Sequence, residues 1–419
     1  MRVISMSAVA VLAIALGIPA AAPPALATTA ATAATATATA ATAATVTAAT
    51  VTAKPEHPLS GLSCVSAKYC VGVGTNLTAD GGNGAPLTET WNGTRWAAAR
   101  PPLPAGGTGG SLAGLSCLSA KSCVAVGYSL TTAGIFALAE FWSGKRWAAD
   151  TPPAPPGSLG ANLDRISCTA AKSCVAVGSY ETSDGNSSAF ASWWNGTRWT
   201  AAEPPVPAAT IGADLDGVSC TSAKHCIAVG FYGLEMGESA LPIVESWNGA
   251  KWAMAKPPAP TGTTPTLLAG LSCRSASSCV AVGTYSRANS TSLGLAESWN
   301  GKHWADFTVP VTGHYGGMNG VSCSTPKDCL AVGEHSAAPF AMQGLPAADA
   351  WNGKSWKLVP VPTPAGGGGS SGASALTGVD CLSATDCVAV GTTGPSADTA
   401  LRGFSAFWNG KAWRLVTTA

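Results

Sequence analysis

From Leu59 onward, apolar and polar positions recur with a period of about 52 residues, and each period begins in the same way. An apolar residue (Leu59, Leu112, Leu163, Leu215, Leu268, Met318 or Leu376) is followed three positions later by Leu, Ile or Val, then two positions later by a cysteine. Plain strand alternation puts those two apolar positions on opposite faces, so each strand is expected to be buried on both sides. After a second cysteine comes an aliphatic-small-Val-Gly run closing on Gly74, Gly127, Gly178, Gly230, Gly283, Gly333 or Gly391. Two apolar runs around a five-residue link predict a β-hairpin.

The cysteines are Cys64/Cys70, Cys117/Cys123, Cys168/Cys174, Cys220/Cys226, Cys273/Cys279, Cys323/Cys329 and Cys381/Cys387, which account for all 14 in the chain. A fixed spacing with none left over favours disulfides over metal ligation, because of the five histidines only His225 lies beside a cysteine. Each bridge closes a small loop and contributes about 2 kcal/mol at most through the unfolded chain.

The second half of each period reads WNGxxW, as in Trp91/Trp96, with Ser143 replacing Asn in the second copy. Asn-Gly between apolar runs predicts a second hairpin with a two-residue turn, which would set Trp91 opposite Thr94 and Glu89 opposite Trp96. Tryptophan in every copy reads as core between neighbouring units, with stacking platforms for sugars as the alternative. The acid two residues before the first tryptophan (Glu89, Glu140, Glu245, Glu297, Asp349) is Ser192 in copy three and Ala406 in copy seven. It reads as a structural acceptor for an indole N–H or a turn backbone.

Each unit thus holds four strands, a to d, and proline-rich stretches such as TPPAPPGSLGAN return the chain to the next unit. Crossing three strand spacings of about 4.8 Å needs only a short extended segment. The expected fold is all-β: a seven-bladed β-propeller of four-stranded antiparallel blades, one disulfide within each blade. An open solenoid of the same units is the competing arrangement. Because the repeats begin and end in phase, no strand is exchanged at closure, and the ring would rest on packing between the first and last blades. The blades fall at about 57–104, 105–156, 157–207, 208–260, 261–312, 313–364 and 365–419.

The hairpin glycine followed by a tryptophan-ending turn resembles the Asp-box and sortilin-type propellers. The phrase SCxSAxxCVAVG…ESWNGxxW is similar to that of exported actinobacterial repeat proteins. The likeness spans roughly residues 57–419 and departs from an Asp box at Trp299, which stands where the aspartate would be in ESWNGKHW, so no sialidase-type function is implied.

Residues 1–27 read as a signal peptide, with Arg2, an apolar run from Val3 to Leu16 and a small-x-small site at Ala25-Leu26-Ala27. Residues 28–56 form an Ala/Thr-rich stretch expected to be a disordered stalk. No later segment has the length of apolar chain that spans a bilayer. Lys and Arg number 23 against 22 Asp and Glu, a balance that gives no reason to expect a nucleic-acid partner held by bulk charge. The expectation is a secreted, extracellular or cell-wall-associated monomer, with a glycan or protein partner.

Strand alternation puts the a–b and c–d turns at one end of the ring and the more variable b–c and d–a loops at the other, the usual carriers of function. Copies three and four depart furthest from the repeat. Six copies have glycine three residues before the first cysteine; copy three has Arg165, preceded by Asp164. Copy four has Asp214 and Asp216, and the b–c loops add Glu181, Asp184, Glu235 and Glu238. Such carboxylates could hold Ca²⁺ or a cationic or polyhydroxylated ligand, although no EF-hand-like spacing is present, and solvated loop charges are the plain alternative. His314-Tyr315 before copy six is a second outlier. Two functions stay open: a non-catalytic binding or scaffold protein needing no cofactor, and a carbohydrate-active hydrolase or lyase using Asp164, Asp216 and Glu238 as acid and base.

Overall fold

The computed structural model describes residues 57–77, 83–234, 240–255, 257, 263–287, 291–310, 315–336, 344–365, 372–394 and 401–418. Twenty-eight strands form seven antiparallel four-stranded blades, each a meander in chain order. In blade one the strands are Leu59–Ser66, Tyr69–Asn76, Ala85–Trp91 and Trp96–Ala99. Blades five and six are additionally joined by one parallel pairing of Ser292 with Tyr315.

The core lies between blades. Val71 and Val73 of blade one pack on Leu112, Leu115 and Leu138 of blade two, and Val124 and Val126 pack on Leu163, Ile166 and Phe190 of blade three. The same contact joins the ends of the chain: Val388 and Val390 of blade seven meet Leu59, Leu87 and Trp91 of blade one. The ring is therefore closed, and the solenoid alternative falls.

A belt of hydrogen bonds reinforces that packing around the axis. The backbone N–H of the first cysteine in a blade donates to the Ser hydroxyl that precedes the first cysteine of the blade before it. Cys117 donates to Ser63 at 3.1 Å, Cys168 to Ser116 at 3.1 Å, Cys220 to Ser167 at 3.0 Å, and so on to Cys381 and Ser322 at 3.0 Å. The belt closes from Cys64 onto Asp380, where a carboxylate replaces the serine and the distance shortens to 2.7 Å. The shortest link of the belt thus sits where no peptide bond spans the seam; burial raises the Asp380 carboxyl, and the N–H groups of Cys64 and Cys381 oppose that shift by favouring its charged form. Trp96 adds an indole N–H bond to Ser405 of blade seven at 2.9 Å, and Thr377 donates to the carbonyl of Leu59 at 2.7 Å.

All seven disulfides form as the spacing predicts: Cys64–Cys70, Cys117–Cys123, Cys168–Cys174, Cys220–Cys226, Cys273–Cys279, Cys323–Cys329 and Cys381–Cys387. Each joins directly opposed residues of strands a and b, with Cα atoms 3.9–4.0 Å apart. The bridges are not surface features, however. Cys70, Cys123, Cys174, Cys329 and Cys387 are all buried within the apolar clusters between blades, beside residues such as Leu59, Leu112 and Trp413. Cys117, Cys168, Cys220, Cys273 and Cys381 are only half-buried, so those five bridges lie at the margin of the core.

Three local expectations are corrected. Strands a and b continue past the bridge to pair Ser66 with Tyr69, so the link is a two-residue turn rather than a five-residue one. Strand a carries a bulge one residue after its leading Leu: Leu59 pairs with Gly74 and Gly61 with Val73, leaving Ser60 unpaired. The extra residue resets the alternation, so Leu59 and Leu62 lie on the same face rather than opposite ones. It also brings strand a against Gly74 so closely that a Cβ there would overlap the carbonyl of Pro58, which explains the glycine ending each hairpin run.

The tryptophan hairpin is the third correction. Trp91 pairs with Trp96 and Glu89 with Ala98, making a four-residue loop in which the Asn92 side-chain oxygen accepts the N–H groups of Thr94 and Arg95, each at 3.0 Å. Gly93 alone takes a positive φ, 94°, so Asn serves here as a side-chain cap and not as the first residue of a type I′ turn.

We expect Asp380→Ala to lower stability by about 1–3 kcal/mol in thermal unfolding, because it leaves the Cys64 N–H without its acceptor at the only seam without chain continuity. Asp380→Asn keeps an acceptor and should recover most of that stability. An Asp380→Ala protein as stable as the wild type would show that apolar packing alone closes the ring.

Candidate functional site

The bulge aims the departing residues of copies three and four. Asp164 is the bulge residue of blade three, set between the pairs Leu163–Gly178 and Arg165–Val177, and Asp216 is its equivalent in blade four. Elsewhere this position is Ser60, Ala113, Ala269, Asn319 or Thr377. The last two show its reach: Asn319 and Thr377 donate to the carbonyls of Leu376 and Leu59 in the next blade. Asp164 meets a carboxylate there, Asp214, instead of a carbonyl.

Asp164 is 8% exposed and Asp214 5%, while Arg165 and Asp216 are half-buried. Asn162 donates to Asp164 at 2.6 Å, and Ser179 donates toward Asp214 at 2.9 Å and the Asn162 side-chain amide oxygen at 3.1 Å. The Arg165 guanidinium binds the carbonyls of Asp164 at 2.9 Å and Ala113 at 3.3 Å, reaching back to blade two. Where Arg165 stands the other blades have glycine, and around the ring those glycines let inner strands touch: a Cβ on Gly114 would lie 2.7 Å from the Cα of Arg165.

Three carboxyl groups thus share one dry wall with a single arginine. Burial pushes Asp164 well above the usual carboxylate range, and the neighbouring Asp214 and Asp216 push it further, with Arg165 opposing. Asp216 is raised well above its ordinary value first by burial, then by Asp214, again with Arg165 opposing. Asp214 is raised by burial to about 6, its charge favoured by the Ser179 hydroxyl and the Leu215 N–H. Asp164 and Asp214 bear on each other directly, and burial together with the neighbouring charges favours a proton on Asp164 over one on Asp214. Such a pair can give or take a proton near neutral pH, and with Asp216 and Arg165 it presents both charge signs.

Asp184 and Glu181 do not join this wall. Asp184 is exposed and organises its own turn: Thr182 donates to it, and Asn186 donates at 2.9 Å. Those bonds lower its pKa, the Thr182 contribution being the largest. Glu181 lies at the end of strand b in the same loop, half-buried, opposite Gly160. Glu235, Glu238 and His314 lie outside the described residues, and Tyr315 is placed by its backbone alone, opposite Ser336. Among the described residues, no group of three or more His, Cys, Asp or Glu side chains is arranged to hold a metal ion.

Sequence reasoning missed Glu334 and His335 in blade six. Burial raises Glu334 and lowers His335. The signal was readable: the residue after the hairpin glycine is Thr, Ser or aromatic in every other blade and Glu only here.

The repeated acids do not accept from indoles. The first tryptophan of each hairpin turns its N–H to the cysteine-hairpin turn, as Trp142 does to the carbonyl of Ala120 at 3.0 Å and Trp299 to Ala276 at 3.0 Å. The carboxyls of Glu140, Glu245, Glu297 and Asp349 are fully buried with no hydrogen-bond partner. Burial pushes the three glutamates up to about 8 and Asp349 to about 7. In blade one, by contrast, His57 reaches Glu89 at 3.3 Å.

These features define a closed seven-bladed β-propeller with one polar wall between blades two, three and four. No family model matches the chain, and no curated protein matches it in sequence. Among solved structures it is similar to the BP39L lectin from Burkholderia pseudomallei, with a TM-score of 0.57 and 12% identity over 87% of this chain and 100% of that one. It is likewise similar to an ulvan lyase described as a new polysaccharide lyase family, with a TM-score of 0.56 and 8% identity over 87% and 96% of the two chains. At these identities the likeness is one of fold.

The four unpartnered carboxyls give stability a defined pH dependence. Their folded-state pKa values lie above the unfolded ones, so their protonated forms favour folding. That contribution is complete below about pH 4 and is lost as pH rises toward 8, at about 1.4 kcal/mol per pH unit for each group between its two values. We expect Glu140→Gln, Glu245→Gln and Glu297→Gln together to flatten the fall in melting temperature between pH 5.5 and 7.5. An unchanged slope would mean that these carboxyls are ionised in the folded protein.

Proposed function

We propose that the protein is an exported, non-catalytic binding propeller that takes a carbohydrate or cell-envelope ligand at the b–c and d–a loop end, with Arg165 and Asp216 at the mouth of the central channel as its polar contacts. One observation carries the reading. In an otherwise regular ring, blades three and four replace glycine and small residues at the inner wall with an arginine and aspartates that burial disfavours. A desolvated cluster at the edge of a repeat scaffold has no packing purpose, and functional sites are where such perturbed groups gather. The lectin and lyase neighbours make a glycan reasonable on grounds of fold alone. Export fits the seven disulfides, which persist in oxidising compartments, and the signal-peptide-like start and Ala/Thr-rich stalk belong to the same reading. Among the described residues no helix is long and apolar enough to cross a membrane.

A second reading is a carbohydrate-active lyase or hydrolase. The neighbouring carboxyls of Asp164 and Asp214, both raised by burial and to different degrees, support it, since glycan cleavage asks for an acid and a base with separated pKa values.

A glycan array and a cell-envelope pull-down test both readings. Arg165→Ala with Asp216→Asn should weaken a specific interaction at least tenfold while leaving the melting temperature within a few degrees. If binding persists unchanged in that variant, the channel mouth is not the site. Turnover of a bound glycan that is lost in Asp164→Asn would replace the binding reading by the enzymatic one.

A further inference from the structure

The near-zero net charge conceals a strong separation. The a–b turn carries lysine at its second position in five blades (Lys68, Lys121, Lys172, Lys224, Lys327), and every c–d turn carries at least one Lys or Arg, from Arg95 in blade one to Lys411 in blade seven. In each blade the two turns touch, since the c–d glycine lies over the a–b turn residue, as Gly93 does over the Lys68 side chain. One end of the ring therefore holds ten lysines and three arginines in its turns, all exposed. Among the described residues only two acids border those turns, Asp328 and Asp386, both half-buried, and Asp328 is already bonded by Thr325 at 2.6 Å.

Nothing in the fold requires this. Gly301 and Gly410 pack on Ser277 and Thr385 in the blades that lack the lysine, so the packing needs a small contact, not a charge. Like charges repeated around a ring repel one another, and the arrangement is stabilised when an anionic polymer replaces the repulsion with counterion release.

We propose that this end of the propeller is a docking surface for a polyanionic polysaccharide, a polymer of sulfated or uronate sugars. Its single charges are spaced blade by blade, matching a polymer with charges distributed along its length. Between blades four and five the same end opens a crevice of about 130 Å³ walled by Trp247 and Trp299 and edged by Ser246, Ser275 and His225. Trp247 is buried, so a sugar at this crevice would meet the half-buried Trp299 and the exposed Ser246. A lipid surface fits less well, because among the described residues the end exposes only Leu118 and Leu382 as large apolar side chains. A nucleic acid also fits less well, since lysine outnumbers the arginine whose forked donors match phosphates. The proposal stands apart from the channel-mouth site, at the opposite end of each blade.

The test is binding of labelled dextran sulfate and neutral dextran to the full chain across a salt series. It is repeated with a Lys251→Glu, Lys302→Glu, Lys354→Glu and Lys411→Glu variant whose melting temperature is checked. These lysines lie in c–d loops whose exposed side chains do not carry the glycine contact. The expected result is binding of dextran sulfate alone, with log affinity falling linearly with log salt and at least a tenfold loss in the variant. No binding at about 50 mM salt, equal binding by the variant, or tighter binding of duplex DNA or of phosphatidylglycerol vesicles would each overturn the assignment.

Discussion

The ring depends on one repeated interaction: a cysteine N–H in one blade bonded to the side-chain oxygen preceding the cysteine of the blade before it. The donor is fixed by the disulfide that holds strands a and b together, and the acceptor is fixed by the next disulfide in the same way. Each bridge is a weak local staple on its own. By presenting a rigid N–H at the axis, it also sets the angle at which the neighbouring blade must sit. That coupling explains why a chain of short, alanine- and glycine-rich strands keeps a seven-fold register. It also explains why the seam, where chain connectivity gives no help, carries an aspartate instead of a serine.

The same economy governs charge. The acidic side chains Glu140, Glu245 and Glu297 in the blade interiors are buried without hydrogen-bond partners among the described residues, and burial favours their protonated forms near neutral pH. The polar wall of blades three and four is built differently, because there the acids face one another and an arginine across the blade boundary. A lone desolvated carboxyl relaxes by taking up a proton; a cluster of three with one arginine keeps charge and proton in balance and stays responsive to whatever enters. Structure and chemistry thus separate two sets of carboxylates that look alike in sequence.

Much of the architecture was legible in the chain. The period gave the blade count, the paired cysteines gave the bridges, and the glycine-ended runs gave the first hairpin, because each rests on spacing alone. What spacing could not reveal was any feature set by a single extra residue. The bulge at Ser60 and its equivalents sets both apolar positions of strand a on one face and leaves the other to the glycine and serine that meet the next blade, and the Asn92 cap turns a two-residue turn into a four-residue loop. Closure was open in the sequence because the acceptor on Asp380 is recognisable only once Cys64 is seen opposite it. Of the site, Asp164, Arg165, Asp214 and Asp216 stood out as breaks in a pattern. Glu334 did not, because its position in strand b already varies among Thr, Ser and aromatic residues and so hides one more change.

The two ends of the ring show how a repeat protein can divide labour between sameness and difference. Similar turns at one end repeat basic side chains around the ring, which suits a partner that is itself a repeating polymer and needs no unique orientation. At the other end the loops vary, and a bulge shared by every blade becomes distinctive only where its residue changes. A bulge that carries Ser or Ala is mere geometry; the same bulge carrying Asp164 beside a neighbour carrying Asp216 gathers two carboxyls with Asp214 and Arg165 at one blade boundary. Substitution at a fixed, re-aimed position gives local chemistry without disturbing the hydrogen-bond belt, since the belt uses the residue adjoining the cysteine and not the bulge itself. The belt and the site can therefore change independently, and that independence lets one blade pair specialise while seven hold the ring.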